Sequence, residues 1–247
     1  MAVYQFGSGV LVGKNIVTSG VAASREFGVL QDVSVDFSAT NKPLMGQYQF
    51  PVAVGRGGAK IACKARFGRI YANLFNDLFF NGTVAATSQV IMVTDEAATV
   101  AASTPYTVTV TNNGVIVDLG VKDQNGLYMK RVTTVSAAGT YSVVESTGVY
   151  TFHSGAASTA VAISYTYTKT SAGPTITLTN PLLGSATFFE AHLKQTYGGK
   201  NLYMKLNSCI SSKLALATKL EDFTIPELDF DAFADGANNI GSIAMDE

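Results

Sequence analysis

The two histidines are the side chains best suited to proton transfer near neutral pH, and neither has a catalytic context in the sequence. His153 and His192 are far apart along the chain and do not have the spacing of a metal-ligand pair. The string Phe6-Gly7-Ser8-Gly9 lies close to the N-terminus and follows no buried strand, so it does not fit a nucleophile elbow. We therefore expect no catalytic residues and no enzyme activity.

Two glycine-rich stretches lack the features that bind phosphates. In Gly7–Gly13, Val12 stands where the dinucleotide fingerprint needs its third glycine, and Gly55–Lys60 lacks the Gly-Lys-Ser/Thr ending of a phosphate loop. We interpret Gly55–Lys60 as a flexible hairpin base.

The acidic stretch that begins at Asp229 has phenylalanine and alanine where a calcium loop needs an oxygen ligand and a glycine. A charged strand edge or interface is the better interpretation of that stretch, and we expect no metal and no cofactor.

The charged side chains are instead sorted into two segments of opposite sign. Residues 221–247 contain eight acids and no base, interleaved with bulky apolar side chains that a solvated acidic tail would not carry. A cationic run without acids lies upstream. We expect the carboxylates of 221–235 to meet the bases of 56–69, within one chain or between copies. The residues concerned are Glu221, Asp222, Glu227, Asp229, Asp231 and Asp235 on one side, and Arg56, Lys60, Lys64, Arg66 and Arg69 on the other.

The elements that position these charges follow from the hydrophobic pattern. Apolar and polar residues alternate in segments 32–37, 59–67, 189–194 and 202–210, which predicts half-buried antiparallel strands. Apolar residues recur at helical spacing from about 69 to 80, which predicts a single amphipathic helix that packs on a sheet. Cys63 and Cys209 fall on these strands, and we expect two buried free thiols rather than a disulfide.

The middle of the chain has a different composition. Residues 84–171 are rich in Thr, Ser, Ala and Val, and turn signals separate short strand patterns, which predicts a small β-sandwich. Residues 171–174 have the composition of an exit linker. We expect a mainly β protein in which residues 1–83 and 172–247 form one discontinuous domain and 84–171 form an inserted module. One continuous sandwich is the alternative.

Two apolar segments favour assembly. We interpret residues 38–58 as a long irregular loop that contains Leu44, Met45, Tyr48 and Phe50, and such a loop needs a cover. The first twenty residues, with Val3, Tyr4, Phe6, Ile16 and Val17 among them, have the character of an arm that docks on a neighbour. Only 14% of residues are charged and the net charge is -1, which favours a surface covered by partners and excludes a generally basic nucleic-acid binder. The alternative is that both segments fold back on their own domain.

Several short strings resemble the major tail tube proteins of long-tailed (siphovirus-like) bacteriophages. They are Lys42–Pro51, Val54–Ile61, the helix ending in Phe79-Phe80, and Glu221–Phe230 with Phe233-Ala234-Asp235. The strings Val93–Ala97 and Gly148–Phe152 resemble modules inserted in the same family. The resemblance covers most of the chain as several short strings, without a diagnostic motif.

The resemblance implies a structural virion protein in the phage tail, assembled in the host cytoplasm. Its fold would be an antiparallel β-sandwich with one flanking helix, and hexameric rings would close an inner β-barrel and stack into a tube for the genome. The partners implied are other copies of the chain and the tape-measure, tail-terminator and baseplate or tip proteins. DNA would pass transiently without specific binding, and the apolar stretches are too short for a membrane partner.

A conduit for DNA is best lined by acids or small polar groups, so that phosphates do not adhere. Asp32, Ser34 and Asp36 are the candidates for such a lining. Two other functions stay open at the level of the sequence. They are a carbohydrate- or cell-surface-binding β module, and a tube subunit of a secretion machine.

Overall fold

The structure is a computed structural model that describes residues 4–15, 23–69, 71–80, 82–85, 87–170, 173–218 and 220–246. The chain divides into two compact units, a first unit of Met1–Val84 with Ile176–Glu247 and a second unit of Ala85–Thr175. The two boundaries between these units lie within a few residues of the domain boundaries expected from the sequence. The structure is mainly β with antiparallel sheets and one helix, which confirms the predicted fold class. Val3, Ile16, Val17, Ile70, Ser171 and Ala172, which belong to the predicted arm, helix and linker, lie outside the described residues.

Strands make up most of the regular structure. In chain order they are β1 (Val10–Asn15), β2 (Ser24–Glu26), β3 (Leu30–Met45), β4 (Pro51–Phe67), β5 (Thr83–Ala85), β6 (Ser88–Thr99), β7 (Thr107–Thr109), β8 (Ile116–Lys122), β9 (Lys130–Arg131), β10 (Thr140–Val144), β11 (Val149–Phe152), β12 (Ala160–Thr170), β13 (Thr175–Thr177), β14 (Phe188–Tyr197), β15 (Lys200–Ala215), β16 (Glu227–Ala232) and β17 (Gly241–Met245). Helix α1 (Ala72–Phe75) continues as a π-helical stretch, Asn76–Phe80, and Ser154–Ala156 form a 3-10 turn. None of the helices in the described residues has the length and apolar character needed to cross a membrane.

One antiparallel sheet forms the body of the first unit. Its strand order is β2-β1-β14-β15-β16-β4-β3, and β17 also pairs with β15. Leu11 of β1 lines a small internal cavity together with Val33 and Val35 of β3, so strands near both ends of the order face the same core. The alternation in the sequence explains this, because every second residue of β4 from Ile61 to Phe67 is buried while its neighbours are not.

The helical segment covers the apolar face of this sheet. It begins at Ala72 rather than near residue 69, and it changes from α to π geometry at Asn76. Leu74, Phe75 and Leu78 are buried, and Leu78 packs so closely on β1 that a Cβ added to Gly13 would lie 2.8 Å from it. An ion pair of 2.7 Å between Arg25 and Asp77 attaches the helical segment to β2. Asn76, a buried polar residue, accepts a hydrogen bond from the Gly82 amide, so its burial is compensated.

A long β-hairpin replaces the irregular loop expected at residues 38–58. β3 extends to Met45 and β4 starts at Pro51, with register pairs such as Lys42 with Gly55. Pro43 lies on β3, which is an edge strand, the position in a sheet where proline is tolerated. The flexible hairpin base expected at Gly55–Lys60 is also wrong, since those residues lie inside β4. Backbone pairing holds this hairpin, so side-chain alternation does not reveal it.

The second unit is a separate small β-sandwich. Strands β6, β12 and β8 form one sheet, and β7, β11, β10 and β9 form the other, in which only the short β9–β10 pair is parallel among the described strands. Its core is distinct from that of the first unit and includes Tyr141, Tyr150 and Tyr165. Asp118 accepts hydrogen bonds from the hydroxyls of Tyr141 (2.9 Å) and Tyr150 (3.0 Å), so these buried hydroxyls are satisfied. β5 and β13 pair with each other in a two-stranded sheet.

Candidate functional site

The opposite charges predicted from the sequence meet on one face of the first unit's sheet. β3, β4 and β16 lie side by side, so Arg66 stands opposite Asp32 on one neighbour and Glu227 on the other. Two residues along, Lys64 is flanked by Ser34 and Asp229. We call this set the charged face. It comprises Asp32, Ser34, Asp36, Lys60, Lys64, Arg66, Lys213, Glu227, Asp229 and Asp231.

Ion pairs connect neighbouring strands across the charged face. The Lys60 ammonium lies 3.0 Å from Asp231, and the Lys64 ammonium lies 3.1 Å from Glu227. Glu227 also contacts Lys213 at 2.9 Å and Arg66 at 3.9 Å. The expectation that the two segments meet is confirmed, and the contact is made within one chain. These pairs therefore set the register of β16 against β4, with a modest energy each because they are partly exposed.

Glu227 is the centre of this network. Hydrogen bonds from Lys213 and Lys64 hold the pKa of the Glu227 carboxyl below its usual range. The same contact with Glu227 raises the pKa of Lys213. Both shifts favour the charged forms, so the network is built to remain ionised at neutral pH.

The other charged residues predicted for the site lie apart from this network. The Arg69 guanidinium donates to the Tyr71 hydroxyl at 2.6 Å and lies 5.6 Å from the centre of its ring. Asp235 accepts from the backbone of Ala237 and Asn239, so it stabilises its own turn. The backbone N–H groups of that turn lower the pKa of Asp235.

Arg56, Glu221 and Asp222 remain on exposed segments. Arg56 lies on the hairpin, and no ion pair is found for it among the described residues. Glu221 and Asp222 lie in the connection between β15 and β16, where Asp222 accepts from the Phe223 amide at 2.8 Å. Whether these residues form a subunit interface stays a prediction.

The proposed lining residues lie on β3. Asp32 and Asp36 are exposed and Ser34 is half-buried. Their neighbours on β4 include Arg66 and Lys64, so the acids stand beside cations and do not form a purely acidic surface. A lining built from this face would carry nearly balanced charge.

The hairpin carries the largest apolar side chains predicted for the interface. Tyr48 is 75% exposed and Phe50 is 82% exposed, and Leu44 and Met45 are 64% and 56% exposed. Apart from its pairing with β4, β3 has no strand partner within the described ranges. The hairpin therefore presents apolar side chains and a free strand edge, and both are features that another chain can cover.

Parts of the N-terminal arm and of the acidic segment 221–247 belong to the sheet of the first unit, as β1 and β16, so these parts do not dock on a neighbour. Leu11 of β1 is a core residue, whereas Tyr4 and Phe6 are exposed. β16 is a central strand, and its Leu228 and Phe230 are 2% exposed. A truncation before Glu221 would remove a central strand, so it tests folding rather than assembly.

The remaining reactive side chains have structural partners. Cys63 and Cys209 are buried free thiols, as predicted, and burial raises the pKa of each to about 12. His192 contacts the Tyr203 hydroxyl at 2.8 Å and the Glu190 carboxylate at 3.3 Å. In the part of the chain that the structure describes, no three His, Cys, Asp or Glu side chains cluster in a way that would hold a metal ion.

A groove beside β17 is a feature that sequence reasoning missed. It has a volume of about 250 Å³ and lies between the hairpin and β17. The short alternation in Gly241-Ser242-Ile243-Ala244-Met245 was the available signal for this strand, but all five residues are exposed and leave no core pattern. Gly241 is required there, because an added Cβ would collide with the carbonyl oxygen of Lys205 and lie 3.1 Å from the Cα of Leu206.

No protein-family model matches this chain, and no curated protein matches it by sequence. A functional proposal for the chain therefore rests on its own geometry.

Proposed function

We propose that this protein is the subunit of a phage tail tube, assembled from copies of itself as stacked rings. The observation that carries the proposal is the distal part of the β3–β4 hairpin, residues 38–58, whose large apolar side chains are exposed. A monomer gains nothing from exposing Phe50, Tyr48 and Leu44 together. A second copy that covers them removes their contact with water.

The free edge of β3 supports a ring. β2 and β3 are the two ends of the strand order, so the first unit has two different sheet edges. When the edge of one copy pairs with the other edge of the next, the contact is heterologous, and a closed ring leaves neither of these two edges unpaired. An interface of the obligate class buries roughly 2,000 Å² or more, and the hairpin provides a large apolar part of such an area.

The charged face supports a role in genome passage. In the proposed ring, Asp32, Ser34 and Asp36 belong to the surface along which DNA moves. Their β4 neighbours Lys64 and Arg66 already contact Glu227, so these cations are less available to phosphates. The proposed partners are other copies of the chain and the tape-measure, terminator and tip proteins of a tail in the virion.

Negative-stain microscopy of the purified full chain tests the proposal. Hollow rods or rings are the expected result, at a concentration that sedimentation shows to be above the assembly threshold. A monodisperse monomer at every concentration would refute the proposal and favour a surface-binding module. The second unit offers a control, because its Val115, 79% exposed, lies outside the proposed interface. A Val115→Ser variant is expected to form the same rods.

A further inference from the structure

The groove beside β17 and the connection between β15 and β16 are complementary features of the first unit. The groove joins an apolar floor to a rim of bases. The connection, residues 216–226, carries exposed apolar side chains beside two acids, Glu221 and Asp222, and one base, Lys219. Both the apolar character and the charge of one feature therefore suit those of the other.

The groove has an apolar floor and a cationic rim. Phe37, Ile61, Met204, Leu206, Ile240 and Ile243 supply its large apolar lining, and Arg56, Lys60 and Lys205 supply its positive charges. Lys60 already contacts Asp231 and Lys205 lies 3.6 Å from Glu190, which leaves Arg56 as the rim cation without an ion pair among the described residues.

One wall of the groove is a free strand edge. β17 pairs with β15 along one side, and within the described ranges no strand pairs with its other side. The unpaired N–H and C=O groups of that side suit an extended segment, which gains backbone hydrogen bonds when it adds to a sheet edge. The occupant that fits is extended, apolar in part and acidic.

The connection between β15 and β16 has these properties. Leu220 is 98% exposed and Phe223 is 87% exposed, although both are large apolar residues. Glu221 lies between them and is also exposed. Neither helix nor strand is formed in this connection among its described residues. Two uncovered apolar side chains with two acids, Glu221 and Asp222, between them match a groove with an apolar floor and a basic rim.

The connection cannot reach the groove of its own chain. It leaves β15 at Ala215, which pairs with Glu227, whereas the groove contacts β15 at Met204–Leu206. Ala215 lies nine positions beyond Leu206 along β15, which is about 30 Å at roughly 3.3 Å per residue. The two features therefore lie near opposite ends of one sheet, and their contact requires two copies.

We propose that the segment Leu220–Ile225 of one copy binds in the groove between the hairpin and β17 of the next copy, with Glu221 beside Arg56. The inference rests on the proposed function for the presence of a second copy. Because donor and acceptor are different surfaces at opposite ends of the sheet, the contact is heterologous and repeats along an axis. It thus specifies a head-to-tail junction that is distinct from the pairing of strand edges within a ring.

Charge reversal tests the contact. Glu221→Lys and Arg56→Glu each place like charges at the junction, and each is expected to raise the critical concentration for assembly about tenfold, since interfacial charge repulsion weakens a contact by at least this factor. The double variant in one chain restores an opposite pair at every junction, so its critical concentration returns toward that of the wild type. Lys169→Glu, at an exposed position of the second unit outside the proposed contacts, is a matched control that leaves assembly unchanged. Equal effects of the target and control variants, or no rescue, would overturn the contact.

Cross-linking separates this contact from the proposed function. With Leu220→Cys and Ser242→Cys in one chain, a short bismaleimide is expected to link copies into a ladder, and the native thiols do not interfere because both are buried. Hollow rods without a ladder would refute the contact and leave the tube subunit standing. A ladder from solid filaments would support the contact and refute the tube. A chain that stays monomeric refutes both.

Discussion

Replacing Phe50 with serine separates assembly from folding. Phe50 is 82% exposed near the turn of the β3–β4 hairpin, so the free subunit loses little packing when the phenyl side chain is removed. We expect the free energy of unfolding of the monomer to change by less than about 0.5 kcal/mol, as for other surface substitutions. The substitution is expected to weaken association instead, because the phenyl side chain of Phe50 is proposed to be covered by a neighbouring copy.

The size of that loss follows from the exposed area. A phenylalanine side chain buries about 150–250 Å², and the part exposed on Phe50 corresponds to about 150 Å². At about 25 cal/mol per Å², a complete cover contributes about 4 kcal/mol and a half cover about 2 kcal/mol. Since 1.4 kcal/mol is a factor of ten, the critical concentration for assembly is expected to rise about 30-fold to about 700-fold.

Sedimentation over a range of protein concentrations measures this threshold, and thermal unfolding of dilute protein measures the stability of the monomer. Two controls bracket the result. Val115→Ser removes an equally exposed apolar side chain from the second unit and is expected to leave the threshold unchanged. Phe230→Ala removes a core ring that is 2% exposed and is expected to destabilise the monomer by about 3–5 kcal/mol. The reasoning is refuted if Phe50→Ser assembles at the wild-type threshold, or if it destabilises the monomer as Phe230→Ala does.

Three further variants have defined outcomes. Gly241→Ala forces β17 away from the Lys205 carbonyl. Amide hydrogen exchange at residues 241–245 should therefore become faster, while the melting temperature changes little. An unchanged exchange rate would contradict the groove geometry. Glu227→Gln tests the charged face. The pKa of the native Glu227 carboxyl is lowered in the folded state. Its contribution to the free energy of unfolding is therefore present above the unfolded-state pKa, near 4.3, and is lost as the pH falls through the folded-state pKa. The variant should therefore be less stable than wild type by about 0.5–1 kcal/mol at pH 7, with a smaller difference at pH 3 in denaturant titrations. Reversing Asp32 and Asp36 to lysine should slow genome ejection from assembled tails, and normal ejection would place both residues away from the DNA path.

The alternating patterns were sufficient to predict the strands with one buried face. Cys63, Ala65 and Phe67 of β4 are buried and alternate with polar residues, because a strand on a core must direct successive side chains to opposite sides. The charge complementarity was equally readable, since the acids of β16 and the bases of β4 recur at the same period of two. The helix was located by its apolar spacing, but its change to π geometry at Asn76 was not, because side-chain spacing does not specify which carbonyl each amide selects.

The candidate site was harder to predict than the core. Neither the distal part of the hairpin, residues 38–58, nor β17 buries a face, so neither leaves a hydrophobic period in the sequence. Their existence depends on backbone pairing with a partner strand, and the groove depends on how the tertiary fold brings the hairpin and β17 to line one space. These are long-range relations between segments up to about two hundred residues apart in the chain.

The sequence alone thus determined which segments are strands with a core face, where the helix lies and which charges attract, because burial and charge are properties of residue types in a periodic pattern. The tertiary structure decided that the charges of β4 and β16 are paired within one chain, since only the strand order makes these segments neighbours. It also decided which apolar side chains remain uncovered, because exposure depends on what the rest of the chain leaves unburied.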